Sequence, residues 1–370
     1  MVMKKTDDRM LGRREFIFAS ASLAAFGGCR LFDNEPVCAH PYFRLGADGS
    51  FRFLQLTDLH MRPGNAALNA RMVALLRTAF EKCRPSLAVL TGDNVSGRES
   101  SARAAFGGTV APLIALLREY GIRFCVTFGN HDSEHGGADQ MTRQEQYDCY
   151  KAMGGELFVD HDVAELSGVG SGVISVFGRD RVKPAFNLFV MDSGSYAGGG
   201  YDGCRTDQIA WYERVSGDVP ALWFQHIIVP DVNVHGLFVD APPSADPKAK
   251  EGPTAGYDMM WPDGKRRMLL AKGVAGELKE HTCPPKWNVY RDEAHTFEGR
   301  SLYDSWRKMG NLKGAYFGHD HMNSFDGTDA NGIRLGMTKC SSFYSYNDGR
   351  PGVRLFTLKA DGSYETEMVI

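Results

Sequence analysis

Five short polar clusters, each placed directly after an apolar run, constrain the fold of this chain more than any other feature. In chain order the clusters are Asp58-Leu59-His60, Gly92-Asp93-Asn94, Gly129-Asn130-His131-Asp132, Gln225-His226 and Gly318-His319-Asp320-His321. In open α/β sheets the carboxyl ends of several strands meet at one edge, and ligands bind in the crevice outside that edge. The sequence therefore predicts that the five clusters converge on a single site.

The segments around the clusters alternate between strand patterns and helix patterns. The predicted strands are short apolar runs at 51–57, 87–90, 123–128, 186–191, 221–225, 315–317, 333–338 and 353–358. The predicted helices have apolar residues at helical spacing and cover 66–83, 102–120, 206–216 and 302–309, with an interruption near Gly107. This order predicts an α/β fold with layered sheets and crossover helices.

The N-terminus is typical of an export signal. Basic residues precede the run Arg13-Arg14-Glu15-Phe16-Ile17, which resembles a twin-arginine signal. The apolar stretch 16–26 is too short for a membrane span, which needs about 20 apolar residues. Ala25-Phe26-Gly27-Gly28-Cys29 resembles a bacterial lipobox, with Cys29 as the lipid-bearing residue and Phe26 where a smaller residue is usual. We therefore expect an exported protein, periplasmic or attached to the cell envelope only through Cys29.

The chain divides into three parts at this level. Residues 1–29 form the predicted export signal, 30–48 a tether rich in Asp, Asn, Pro and Gly, and 49–370 a single globular domain. Within that domain, the stretch at about 229–300 is rich in Pro and Gly and is predicted to be an irregular insertion. A loop region of that length is usually functional, so we expect it to wall the site.

Composition narrows the classes of partner. The 370 residues are 43% hydrophobic and 24% charged with a net charge of -3, which is an ordinary globular balance. A net charge this small does not indicate broad electrostatic binding to nucleic acid. We therefore expect a small-molecule substrate. The eight cysteines contain no Cys-x-x-Cys pair, which argues against a structural zinc site. The oligomeric state stays open.

The residue types in the clusters suit metal binding. Carboxylates and imidazoles are ligands of first-row divalent metals. Asp58 and His60 lie two residues apart, as do His319 and His321, so both members of each pair can project from a loop just past a strand. One carboxylate between two cations can bridge them at about 3.5–4 Å, the spacing of two-metal hydrolases. Asp93, in the middle cluster and without a histidine partner, is the natural bridge.

This ordered set of clusters resembles the motifs of the calcineurin-like metallophosphoesterases over roughly residues 50–340. The resemblance implies a four-layer α/β/β/α sandwich and two metal ions, with iron, zinc and manganese all compatible with the ligands. It implies one ion held by Asp58, His60, Asp93 and His321, and a second held by Asp93, Asn130, His226 and His319.

Within that family the chain is similar to relatives of the purple acid phosphatases. The similarity rests on the stretch 226–238, the context of the last cluster and Met191-Asp192-Ser193-Gly194. Two positions depart from the true purple enzymes. Ser96 stands where those enzymes have a tyrosine ligand, and His60 is present where they lack a histidine. A tyrosinate-to-iron colour is therefore not expected.

The expected chemistry is hydrolysis of phosphate mono- or diesters. Two cations polarise the phosphoryl oxygens and lower the pKa of a bridging water, and the resulting hydroxide attacks phosphorus. His131 is predicted to be a non-ligand that donates a proton or hydrogen bond to the leaving oxygen. Asp132 is predicted to orient the His131 ring, with a helix N-cap as the open alternative.

Three other functions stay open at this point. The first is a metal-binding protein of the same fold without catalysis, which loss of a ligand would mark, whereas all seven ligands are present. The second is a phosphodiesterase or nuclease rather than a monoesterase. The third is a surface scavenger of nucleotides or sugar phosphates, which rests only on the export signal. The shared motifs do not decide among them.

Overall fold

The structure is a computed structural model that describes residues 30–32, 35–37, 40–178, 183–197, 200–242, 257–261, 264–284 and 301–370. The predicted export signal, with Cys29, lies outside these residues, as do 243–256 and 285–300 of the predicted insertion. Within the described ranges, no helix has the length and apolar character needed to cross a bilayer.

The described residues form helices and strands in alternation through most of the chain. The α-helices are α1 (Ala66–Cys83), α2 (Phe106–Tyr120), α3 (Arg143–Gly154), α4 (Thr206–Val215) and α5 (Leu302–Met309), and 3-10 turns cover His131–Ser133, Gly155–Leu157 and Pro230–Asn233. The strands of the first half are β1 (Arg30–Phe32), β2 (Glu35–Val37), β3 (Tyr42–Arg44), β4 (Ser50–Leu56), β5 (Leu87–Thr91), β6 (Arg123–Thr127), β7 (Gly172–Phe177) and β8 (Pro184–Val190). The remaining strands are β9 (Tyr196–Ala197), β10 (Gly200–Tyr201), β11 (Ala221–Phe224), β12 (Phe238–Asp240), β13 (Tyr257–Trp261), β14 (Gly264–Leu270), β15 (Leu312–Phe317), β16 (Asp326–Thr328), β17 (Arg334–Met337), β18 (Val353–Lys359) and β19 (Tyr364–Val369).

Two large mixed sheets carry the fold. The five-stranded sheet has the order β19-β18-β4-β5-β6, and its strands β4, β5 and β6 run parallel. The seven-stranded sheet has the order β16-β17-β15-β11-β8-β7-β3, with β8, β11, β15 and β17 parallel. Because the clusters follow β4, β5, β6, β11 and β15, each sheet brings its polar loops to the carboxyl ends of its parallel strands.

Strand residues alternate between two apolar environments, and this builds the layers. Phe53 packs between the sheets, where its ring lies 5.6 Å from that of Phe224 of the seven-stranded sheet. Its neighbour Leu54 faces the opposite way, into a core that α1, α2 and α3 cover. On the far face of the seven-stranded sheet, Trp223 packs against α4 and α5, with its ring 5.5 Å from that of Trp306. The layers are helix, sheet, sheet, helix, which confirms the predicted α/β/β/α sandwich.

The first helix matches its predicted bounds, whereas the second does not. The side chain of Asn65 accepts a hydrogen bond from the Leu68 amide and caps α1, which ends where Arg84 turns left-handed. The predicted interruption near Gly107 is wrong, because α2 runs unbroken from Phe106 to Tyr120. Burial of an apolar face outweighs the roughly 1 kcal/mol that a helical glycine costs.

Two predicted segments contain more regular structure than the sequence suggested. The tether of 30–48 is corrected at its C-terminal end, because β3 pairs with β7 as an edge strand of the seven-stranded sheet. The insertion at 229–300 was expected to be irregular, yet its described part contains a three-stranded antiparallel sheet in the order β12-β14-β13. The strand β7, the helix α3 and the strand β19 also have no counterpart among the predicted elements.

Candidate metal centre

All seven predicted ligands lie together at the carboxyl ends of the parallel strands. They are almost fully buried, with exposed fractions of 8% or less: Asp58, His60, Asp93, Asn130, His226, His319 and His321. Six of them form two groups in which the ligating atoms lie within 4.8 Å of one another. The structure thus brings the clusters into one site, while their assignment as ligands stays a prediction.

Asp93 belongs to both groups and lies between them. The first group contains Asp58, His60, Asp93 and His321, and the second contains Asp93, His226 and His319. The Asp93 Oδ2 atom is 3.2 Å from His226 Nε2 and 3.5 Å from His60 Nε2. A single carboxylate oxygen therefore faces imidazoles of both groups, which is the position of a bridging ligand.

Each carboxylate has one oxygen held by hydrogen bonds and one oxygen left over. Asp58 Oδ2 accepts from the Thr57 hydroxyl and from the His319 amide, both at 2.9 Å. Asp93 Oδ1 accepts from the His131 amide at 2.8 Å. The other oxygens, Asp58 Oδ1 and Asp93 Oδ2, are buried without a hydrogen-bond partner among the described residues.

Asn130 and His226 show the same half-satisfied pattern. His226 Nδ1 donates to the Thr91 carbonyl at 3.1 Å, and Asn130 Nδ2 donates to the Tyr196 hydroxyl at 2.8 Å. In the described part of the chain, His226 Nε2, Asn130 Oδ1 and His319 Nε2 are buried without a hydrogen bond. Buried polar atoms are seldom left unpaired, and a histidine held through one nitrogen presents the other to a metal. The donor set therefore fits two cations.

The backbone at the site adopts strained conformations. Among the described residues, five that are not glycine have a positive φ, and four of them are Asp58, His60, Asp93 and His319. Such angles are unfavourable for residues with a Cβ and concentrate at functional sites.

Two glycines allow the polar loops to approach one another. A Cβ on Gly129 would lie 2.2 Å from Asp93 Oδ1, and one on Gly318 would lie 2.0 Å from the Thr57 hydroxyl. Neither position has room for a larger residue, because real Cβ atoms do not approach heavy atoms so closely. These glycines allow the loops that carry the two carboxylates to pack closely against their neighbours.

Burial and neighbouring charges shift the protonation of these groups. Burial opposes ionisation of Asp93, but His226, His60 and His131 together outweigh that effect and lower the pKa of Asp93. Burial would lower the pKa of His226, yet the charges of Asp93 and Asp58 raise it to about 9. Burial lowers the pKa of His319 to about 3. Without a cation, the His226 imidazole is therefore protonated and positively charged near neutral pH, whereas the His319 imidazole is neutral.

His131 lies at the edge of the centre, where its ring is 5.1 Å from that of His60 and its side chain is 36% exposed. The prediction that Asp132 orients this ring is wrong. Asp132 is fully buried and accepts instead from the amides of Asp93, Val95 and Gly129 at 2.8, 3.0 and 2.8 Å. Neighbours in sequence can face different ways, and here the 3-10 turn at 131–133 separates the two side chains.

Glu134 fills the role that was expected of Asp132. Its Oε2 atom lies 2.7 Å from His131 Nδ1, and its Oε1 atom lies 3.2 Å from His135 Nε2. The spacing of three residues is typical of side-chain contacts in a helical turn, and this signal in the sequence was missed. Asp132 instead ties the Asp93 loop to the 129–132 loop, and both burial and the charge of Asp93 raise its pKa to about 7.

Two further contacts around the centre were not anticipated. Arg143, at the start of α3, forms an ion pair with the buried Asp192 and donates to the Gly129 carbonyl at 2.6 Å. Nothing in the sequence pairs these residues, which are 49 positions apart. Ser96, which replaces the tyrosine of purple enzymes, accepts a hydrogen bond from Arg62 Nε at 3.1 Å and lies buried beside the Asp93 loop.

Comparison with known proteins assigns the chain to the family that its motifs resemble. Residues 51–323 match the family described as Calcineurin-like phosphoesterase, which is most of the chain. The protein belongs to this family, and the predicted resemblance is confirmed. Its fold is that of dimetal phosphoesterases, and its clustered Asp and His groups suggest two metal ions.

Particular relatives are more distant. The chain is 23% identical to Probable inactive purple acid phosphatase 14 of Arabidopsis thaliana, over 82% of this chain and 73% of that protein. It is 25% identical to Probable inactive purple acid phosphatase 28 of the same plant, over 77% and 69%. Among solved structures, a dimetal phosphatase from Danio rerio is similar with a TM-score of 0.46 and 15% identity, over 86% of this chain and 98% of that chain.

Proposed function

We propose that this protein is a dinuclear metal-dependent phosphoesterase that hydrolyses small phosphate monoesters or diesters. The observation that carries the proposal is the ring of buried ligand atoms without hydrogen bonds around Asp93. Leaving several such atoms unpaired would cost about 1–3 kcal/mol each in a purely structural core. A half-exposed histidine at the edge of the ring adds a group that can reach a substrate.

One set of residues would bind the cations, and His131 would transfer a proton. When bound, two cations would polarise the phosphoryl oxygens and activate water. One would be held by Asp58, His60, Asp93 and His321, and the other by Asp93, Asn130, His226 and His319. The hydrogen bonds described above can stay in place when the cations bind, because the ligating oxygen and nitrogen atoms already face one another.

His131 supplies the proton for the leaving oxygen. Its Nδ1 atom donates to Glu134, so its Nε2 atom is the nitrogen available to a substrate. The Glu134 carboxylate fixes the orientation of the ring. Protonation of the departing alkoxide is the step that an imidazole at the edge of the centre can assist.

A catalytically silent protein of the same fold is the second candidate. The plant relatives carry the word inactive in their names, which favours this reading. The chain itself retains the seven predicted ligands and His131. A silent protein would bind metals without turnover, so the two candidates differ in a direct measurement.

The test is a metal-loaded activity assay on the purified chain. The protein is reconstituted separately with iron, zinc and manganese, its metal content is measured, and mono- and bis-p-nitrophenyl phosphate are compared. We expect two ions per chain and hydrolysis of at least one of the two esters. Full loading without hydrolysis of either would overturn the enzyme proposal in favour of the silent protein.

We also propose that the protein is exported and held at the cell envelope. The proposal rests on the sequence of residues 1–29, with the twin-arginine pattern and Cys29. Fractionation of cells that express the full chain tests it: Arg13→Lys combined with Arg14→Lys should retain the protein inside. Cys29→Ser should release it from the membrane fraction, and an unchanged distribution in both variants would refute the proposal.

A further inference from the structure

Two exposed tyrosines contact different predicted ligands of the metal centre. Among the described residues, only four large hydrophobic side chains are exposed, and two of them are Tyr196 and Tyr346, at 51% and 54%. Scattered single exposures are ordinary, but two exposed tyrosines that both contact residues of one centre are a specific arrangement.

Tyr346 is fixed to the first group of ligands. Its ring stacks on the His321 imidazole with centroids 4.1 Å apart and planes 10° from parallel. Its carbonyl accepts a hydrogen bond from His321 Nδ1 at 2.9 Å. The ring is therefore held beside a ligand whose Nε2 atom faces Asp58 at 3.3 Å, while more than half of the tyrosine side chain remains exposed.

Tyr196 is fixed to the second group. Its hydroxyl accepts from Asn130 Nδ2 at 2.8 Å, which directs Asn130 Oδ1 toward the centre. Its ring stacks on that of Tyr201 with centroids 5.6 Å apart, and the Tyr201 ring meets the His319 imidazole edge-on at 4.2 Å. Both tyrosine rings are thus positioned by residues that would hold the metals.

The charges near Tyr346 favour an uncharged group there. Lys279 Nζ and Lys339 Nζ lie 2.7 and 2.6 Å from Asp348 Oδ2, and Arg350 lies 3.3 Å from Glu277. These cations are paired with carboxylates, so they do not offer a site for a second phosphate. The Tyr346 hydroxyl is hydrogen-bonded to the Glu280 carboxylate. This side of the centre therefore presents an aromatic face beside a carboxylate, which favours a flat, uncharged ring over a second anion.

We propose that Tyr196 and Tyr346 form a stacking subsite for a neutral planar ring in the ester group of the substrate. The inference rests on the proposed function, since the phosphate must be bound at the metals. The shared chemistry is a phosphate ester of an aromatic ring, and its source is either an aryl phosphate or a nucleoside monophosphate.

The test measures binding rather than turnover, on the metal-loaded full chain. Phenylphosphonate and cyclohexylphosphonate are titrated by calorimetry, because both resist hydrolysis and they differ chiefly in the planarity of the ring. We expect phenylphosphonate to bind more tightly, and Tyr346→Leu and Tyr196→Leu each to weaken it about fivefold with little change for cyclohexylphosphonate. Tyr346→Phe should retain the wild-type affinity, because it keeps the ring.

A matched control is Tyr120→Leu. Tyr120 ends α2, its hydroxyl donates to Glu81 at 2.8 Å, and it lies near the amino ends of the parallel strands, opposite the centre. Equal affinity of the two phosphonates for the wild type, or equal losses in the Tyr120 variant, would overturn the subsite. Absence of binding by both phosphonates would instead overturn the proposed phosphate site, and the subsite with it.

A further pair of ligands distinguishes the two sources. A nucleoside 5′-phosphonate is compared with the same sugar phosphonate lacking the base. A preference for the base that the tyrosine variants abolish supports the subsite with a nucleotide as its source. A preference for phenylphosphonate without any effect of the base supports it with an aryl phosphate as the source.

Discussion

The two sheets contribute different chemistry to the metal centre. Loops of the five-stranded sheet bring the carboxylates Asp58 and Asp93, which are held by hydrogen bonds from backbone amides and a hydroxyl. Loops of the seven-stranded sheet bring three of the four predicted imidazole ligands. Among these, His226 and His321 are held by hydrogen bonds to carbonyls. Negative charge thus comes from one sheet, while the other supplies donors that are neutral when they bind a metal.

Because of this difference, we expect the two sheets to contribute unequally to metal affinity. The charge that attracts two cations is concentrated in the first sheet, and Asp93 serves both groups. Loss of a seven-stranded imidazole removes one donor from one group. The predictions below test that inequality, beginning with the variant that should change the centre most.

Asp93→Asn should remove both ions and lower kcat/KM by on the order of 10³-fold or more, because the shared negative oxygen is lost. His226→Gln should remove about one ion per chain, since that imidazole belongs to one group. Metal analysis and steady-state kinetics measure both effects. Asp48→Asn, in the exposed turn before β4, is the matched control. Retention of two ions by the Asp93 variant would contradict the expected difference between the two sheets.

His131→Ala should retain both ions and lower kcat by about 10²–10⁴-fold, because it removes a proton donor and no ligand. Glu134→Gln should cause a smaller loss, about 10-fold, because the ring loses its charged partner but not its nitrogen. The matched control is His235→Ala, whose ring stacks on Tyr303. Turnover unchanged by His131→Ala would refute the proton-donor role.

Asp132→Ala should lower the free energy of unfolding by about 1–3 kcal/mol, because three buried amides lose their acceptor. Thermal and denaturant unfolding of the metal-free protein measure the effect. Because Asp132 ties together two loops of the five-stranded sheet, metal affinity should also weaken through the carboxylate side. Unchanged unfolding and unchanged metal affinity would show that these loops are held by other contacts.

Metal binding should release protons at neutral pH, and we expect His226 to be the group that loses them. Its pKa of about 9 means that the imidazole is charged at pH 7 and must lose its proton to bind a cation. About one proton from this group should therefore be released per chain at pH 7, and the release should decline as the pH rises through 9. Calorimetry in buffers of different ionisation enthalpy measures it. Equal release by His226→Gln would contradict the assignment.

The convergence of the predicted ligands could be foreseen because the fold places them by a simple rule. Residues such as Asp58 and His319 follow strands directly, so strand order alone brings them to one edge. The role of Asp132 was not predictable in this way, because side-chain direction within a 3-10 turn depends on local geometry that adjacency does not reveal. Tyr196 and Tyr346 come from loops without a period, so only the folded chain shows that both contact the centre.

The left-handed backbone at Asp58, His60, Asp93 and His319 bears on how such a protein changes over generations. Each such residue costs roughly 1 kcal/mol or more relative to glycine, within a total stability of about 5–15 kcal/mol for a typical domain. A lineage freed from the need to bind cations would gain robustness by exchanging any of them for glycine. Substitution by glycine is therefore the favoured change at these four positions, and none of the four is a glycine in this chain.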